Sequence, residues 1–246
     1  MVSRSKVAGT DVTYEPVDAE HELVAEVERI TAPLGSKIGI VFGTSIRRGG
    51  NTYAGMYVGP PASLIIVDPA QSAQPQLNHG LAVATAIHER AHAQFTPDNQ
   101  EEHQLLYRNK LTPTHQPLYD GLLEVLEDER IETIVVRRWP ELRSPLAGRW
   151  KYMLESQGEL IHSSGVLRAF GPQSVLVAAK LDYLHQMLGR GSWYRNRAWH
   201  PFDGDLSHVL SQIRKIKRAS LSAKHPNMVP KLAYEIVRIA LRRAAM

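Results

Sequence analysis

Two histidines and a glutamate, in the run His88-Glu89-Arg90-Ala91-His92, are the residues whose types and spacing could do chemistry most directly. Four residues at about 100° each bring His88 and His92 onto one helix face, one turn apart, so both imidazoles can point at a single ion. Zinc suits such donors. It accepts neutral imidazole nitrogen, and a catalytic zinc typically takes three protein ligands plus a water whose pKa falls to roughly 7. Glu89, beside the ligands, is placed to take a proton from the attacking water and return it to a leaving amine. The plainer alternative is a pair of satisfied core histidines. Leu81, Ala84, Ala91, His92 and Phe95 fall on the same side as His88, which predicts an amphipathic helix with both histidines on its buried face and Arg90 opposite.

A zinc with two histidines needs a third protein ligand, and the run 119–136 offers candidates on a second helix. With Glu127 as reference direction, Leu123, Ile131 and Ile134 lie within roughly 40° of it, in one apolar sector. A carboxylate there is costly unless it is paired or bound to metal, so Glu127 is the expected third ligand. Glu124, about 60° away, is the second choice. The competing role for Glu127 is an ion pair with Arg130 or Arg90. Asp128, further round, suits an acceptor that orients a ligand histidine through its other ring nitrogen. Glu129 and Glu132 point elsewhere, and Glu132 is expected to be dispensable for metal binding. Asp98, downstream of the histidines, ranks below the helix glutamates.

Positioning these side chains requires a scaffold, and the chain ahead of them reads as one helix and a sheet. Residues 18–34 carry Leu23, Val24, Val27 and Ile30 at helical spacing, ended by Pro33 and Gly35. Residues 37–42, 52–58 and 64–67 read as strands, separated by Arg48-Gly49-Gly50-Asn51 and Gly59-Pro60-Pro61. The sheet forms one wall of the core, and an exposed edge could take an extended substrate by strand addition. Asn78 is the expected N-cap of the metal helix, and Thr96-Pro97 stops it. Residues 1–16 read as a mobile leader. Beyond residue 146, the stretches 173–188, 206–219 and 230–244 have helical periodicity. The loop 193–202 is rich in aromatics and arginine; it could stack single-stranded nucleic acid, but an anchor over the helices is the favoured reading.

At 246 residues with 43% hydrophobic composition, the chain can build a sizeable core. It has no cysteine, which excludes disulfides, thiolate metal sites and a cysteine nucleophile. No apolar run has signal-peptide length and none approaches eighteen residues, so a cytoplasmic protein without membrane partners is expected. The net charge of +4 conceals an asymmetry: residues 1–136 hold 10 Lys and Arg against 18 Asp and Glu, or −8, and residues 137–246 hold 19 against 7, or +12. A basic helical part packed on an acidic part accounts for this; binding of nucleic acid is the less favoured reading.

The run from His88 through His92-Ala93-Gln94-Phe95-Thr96-Pro97, followed by Leu123-Glu124-Val125-Leu126-Glu127-Asp128-Glu129-Arg130-Ile131-Glu132 and Trp139-Pro140, resembles zinc metallopeptidases encoded by phages and bacteria. Those proteins pair H-E-x-x-H-A-x-x-T-P with a helix of the form N-x-x-E-D-x-R-I-E, and the resemblance covers residues 82–146. It implies a gluzincin-like site in which Glu127 matches the glutamate of the E-D pair. Glu124 stands where the family has asparagine, which leaves the choice between the two glutamates open. The expected fold is α+β: a zincin-like domain with a small, mostly antiparallel sheet, metal-bearing helices and a helical C-terminal part. The expected division is a leader (1–16), a catalytic core (17–146) and helices (147–246) packed on that core as one domain. The expected function is zinc-dependent hydrolysis of peptide bonds in a peptide or protein, with Glu89 as base and His88, His92 and Glu127 on the metal. The alternative is a non-catalytic binding or assembly module, associated with nucleic acid through its basic part. Tyr107, Tyr119, His103, His115 and His162 are candidates for stabilising the oxyanion.

Overall fold

Strand β3 (Gly39–Arg48) is the longest in the sheet and the one on which the others assemble. The computed structural model describes residues 4–35, 38–60, 62–71, 74–97, 99–156, 179, 183 and 228–244. Within them the chain falls into two compact units, Met1–Thr96 with Ile131–Trp150, and Pro97–Arg130 with Lys151–Met246. This differs from the division expected at residue 146, because helix α4 (Gln116–Arg138) gives its two ends to different units.

In the first unit, β1 (Ser5–Lys6), β2 (Thr13–Pro16), β3, β4 (Asn51–Tyr53), β5 (Gly55–Val58) and β6 (Leu64–Val67) form a six-stranded sheet ordered β1-β2-β3-β6-β5, with β4 also paired to β3. All pairings are antiparallel except β3 with β6, so the expected small, mostly antiparallel sheet is present. Residues 5–16 are not a leader. They supply two strands, and Val7 and Val12 join Ile46, Met56, Val58 and Ile66 in a buried cluster. Gly49 and Gly50, at φ 55° and 86°, make the two-residue turn between β3 and β4, where positive φ at both positions suits the twist of the strands. Ser45, at φ 52°, marks the bulge where the β2–β3 register shifts.

Helix α1 (His21–Thr31) buries Leu23, Val27 and Thr31, and packs against α2 (Pro75–Phe95). Helix α2 begins at Pro75 rather than at an Asn78 cap, since proline at the first position has no N–H to leave unsatisfied. Its middle is not amphipathic. Residues 81–89 are all buried, with α1, β5 and β6 packed around them. Five of the nine are alanine, valine or threonine small enough to admit close neighbours, and a helix apolar all round is an interior helix. The C-terminal end of α4, a short 3-10 turn (Pro140–Leu142) and α5 (Arg143–Ser156) as far as Trp150 complete the unit.

The second unit contains α3 (Gln100–Arg108), the N-terminal part of α4 and α6 (Met228–Ala244). Leu118, Leu122, Val125 and Leu126 of α4 share a core with Leu232, Ala233, Ile236 and Val237 of α6. Helix α6 follows the periodicity expected of 230–244. Helix α3 has no counterpart among the expected elements, because Leu105 and Leu106 remain exposed and no apolar stripe announces it. The expected helices 173–188 and 206–219, apart from residues 179 and 183, lie outside the described residues, as does the aromatic loop 193–202. No helix among the described residues is long and apolar enough to cross a membrane.

Candidate metal centre

His88 and His92 are carried on the last two turns of α2, with their rings 4.7 Å apart and nearly perpendicular at 85°. The two Nε2 atoms are 3.2 Å apart. Each imidazole is held from behind through Nδ1. For His88 the partner is Glu132 Oε1 at 2.7 Å, in a pair almost completely removed from solvent. A carboxylate only accepts, so the His88 proton sits on Nδ1 and Nε2 presents its lone pair to the partner ring. For His92 the partner is the Thr96 hydroxyl at 3.0 Å, on the residue whose backbone N–H closes the helix by donating to the His92 carbonyl.

Glu132 is held in turn. Its Oε2 accepts from the Trp150 indole Nε1 at 2.8 Å and its Oε1 from Arg149 Nη1 at 3.4 Å, which fixes the carboxylate that fixes the histidine. The expectation that Glu132 points away from the site is therefore wrong. It does the orienting work expected of Asp128, and Asp128 lies one turn earlier on the same uninterrupted helix. Among the described residues, one group could hold a metal ion: a ring nitrogen from each of His88 and His92 and a carboxylate oxygen of Asp128, all within 4.8 Å of one another.

Glu127, the expected third ligand, is outside that group. Both its oxygens accept from the Arg130 guanidinium, Oε2 from Nε at 2.8 Å and Oε1 from Nη2 at 2.6 Å, in a buried ion pair. The reason is geometric. An apolar sector orients a helix only if the other faces are exposed, and every residue from Val125 to Glu132 is buried. Glu124, the second choice, is exposed. Asp98 and His162 lie outside the described residues. Of the oxyanion candidates, Tyr119 is committed to the second unit's core, where its hydroxyl donates to the Gln104 carbonyl and burial raises its pKa above the ordinary tyrosine range. The Tyr107 ring packs against that of Tyr234 at a tilt of 43°, and His115 pairs with the Thr112 hydroxyl.

Glu89 is also buried, and its Oε2 accepts the backbone N–H of Tyr57 on β5 at 2.7 Å. Strand and helix come this close because residue 55 is glycine: a Cβ there would stand 2.2 Å from Thr85 Cγ2 and 3.3 Å from Glu89 Cγ and Oε1. Arg90 points away from the histidines, as expected, and its Nη2 donates to the Ile38 carbonyl at 3.1 Å.

The donor set fits a zinc-like cation. Two nitrogens bound tetrahedrally at ordinary zinc–nitrogen distances lie about 3.3 Å apart, close to the separation found here. Two imidazole lone pairs this near repel unless a proton or a cation lies between them. Glu132, Trp150, Thr96 and the Tyr57 amide were not found by sequence reasoning. Two of them left a signal, Glu132 as the last glutamate of the E-D-x-R-I-E pattern and Thr96 as the threonine of H-A-x-x-T-P. No protein-family model, no curated protein and no solved structure matches the chain.

Proposed function

We propose that the chain is a zinc-dependent peptidase of the general zincin type, with His88, His92 and Asp128 as the protein ligands and Glu89 as general base. The observation that carries this reading is the convergence of a ring nitrogen from each of His88 and His92 with an Asp128 oxygen, with His88 backed by a buried carboxylate. Two imidazoles and a carboxylate are a donor set that catalytic zinc accepts, and a carboxylate behind a ligand histidine fixes its tautomer and raises its basicity. Zinc held there would supply Lewis-acid activation of a water molecule and of the carbonyl under attack. Glu89, next in the chain to a ligand and anchored at Oε2, would serve as the base that takes a proton from the attacking water and returns it to the leaving amine.

Metal analysis of the purified protein tests the reading first. About one zinc per chain, lost in His88→Ala, supports it; a metal-free protein makes it a binding or assembly module instead. Glu89→Gln keeps the shape of the side chain and removes the base. It is expected to retain zinc and lose hydrolysis of a peptide library by about 10²-fold or more. Undiminished hydrolysis in that variant would remove Glu89 from the mechanism.

A further inference from the structure

Strand β5 ends the sheet, and its backbone groups alternate in direction. Ala54 accepts from the Asp68 N–H at 2.9 Å, and the register continues with Met56 opposite Ile66 and Val58 opposite Leu64. Met56 and Val58 therefore turn their backbone groups to β6, and Gly55 and Tyr57 turn theirs outward. The outward N–H of Tyr57 is the one that meets Glu89 Oε2, 32 residues away in sequence. Two independent features build this contact: the parity that aims the amide, and the glycine two residues before it that lets α2 approach.

We infer that the Tyr57 backbone amide is a positioning group for Glu89: the edge strand clamps one carboxylate oxygen and so sets the orientation of the base. This inference rests on the peptidase reading and adds a component to it. A glutamate side chain has three rotatable bonds, and a base must be within hydrogen-bond reach of the proton it takes. A bond from a backbone N–H in a sheet removes that freedom without depending on another mobile side chain. Misplacement of a catalytic group by about 1 Å can cost 10²-fold in rate, so the clamp has a kinetic consequence.

The test exploits the strand's edge position. Proline lacks the N–H and is tolerated on an edge strand where the N–H faces outward, so Tyr57→Pro removes the donor and spares the ladder to β6. Tyr57→Ala removes the same side chain and keeps the N–H. Relative to Tyr57→Ala, Tyr57→Pro is expected to lower kcat on the order of 10-fold or more with KM and bound zinc unchanged. Equal kcat in the two variants overturns the inference. Amide hydrogen exchange judges the clamp without activity and without proline: in Glu89→Ala, protection of the Tyr57 N–H is expected to fall while Met56 and Val58 keep theirs. Unchanged Tyr57 protection overturns it. If the parent hydrolyses no peptide yet the exchange result is as expected, the peptidase reading fails and the clamp stands.

Discussion

Glu127 and Asp128 are neighbours in sequence, yet one residue of helical rotation, about 100°, gives them different surroundings. Glu127 neutralises Arg130 in a buried pair, whereas Asp128 joins the histidines. Glu127→Ala leaves a buried guanidinium without its carboxylate, and removing one partner of such a pair typically costs about 3–5 kcal/mol. That variant is expected to melt lower and still bind metal. Asp128→Ala is expected to lose a proposed direct ligand and with it most of the metal affinity. Glu132→Ala removes the acceptor behind His88, for which affinity losses of about 10 to 100-fold are usual. Competition with a chelator ranks the three: Asp128→Ala weakest, Glu132→Ala between, Glu127→Ala nearest the parent. If Glu127→Ala strips the metal while Asp128→Ala does not, the assignment reverts to the glutamate. The pair His88 and His92 was legible because H-E-x-x-H fixes its own geometry within one helix. The proposed third ligand, Asp128, was not, since burial of every residue from Val125 to Glu132 erases the one-sided pattern that would choose among adjacent carboxylates.

Elements with strong local signals were legible, and those stabilised by distant partners were not. Helix α1, the first part of β3 (residues 39–42), strand β6, helix α2 and α6 follow periodicity and punctuation in the chain, while residues 43–48 of β3 were not expected as strand. The run 52–58 was read as one strand, but it divides at Ala54, with β4 pairing to β3 and β5 to β6. Strands β1 and β2 went unread because they are short and polar, with the buried Val7 and Val12 lying in the turn between them rather than in the strands. This placement makes residues 5–16 structural. Each buried valine contributes about 1.5–3 kcal/mol relative to exposure, before the exposed edge of β3 is considered. Deletion of residues 1–16 is therefore expected to lower the melting temperature and promote aggregation through β3, where a mobile leader would be removed without effect. Thermal melting and light scattering of the truncated protein decide between them.

For the molecule as a whole, the proposed ligands come from chain positions 40 residues apart, so zinc and folding are thermodynamically linked. A ligand at 100 times its Kd stabilises the native state by about 2.7 kcal/mol. For a chain of this length that corresponds to a rise in Tm of about 5–11 °C. Added zinc should produce that rise, excess chelator should reverse it, and His88→Ala should abolish the response. A Tm indifferent to zinc argues against the centre. The chain also carries its own optical probe. Trp150 is buried with its indole N–H on Glu132, and Glu132 holds the ring of His88, so charge placed on His88 is relayed within two hydrogen bonds of a fluorophore. Loading the histidines should change the emission of the unlabelled protein, and Trp150→Phe should remove that component while the signals of Trp139, Trp193 and Trp199 remain. Occupancy could then be followed in real time with no dye, substrate or turnover.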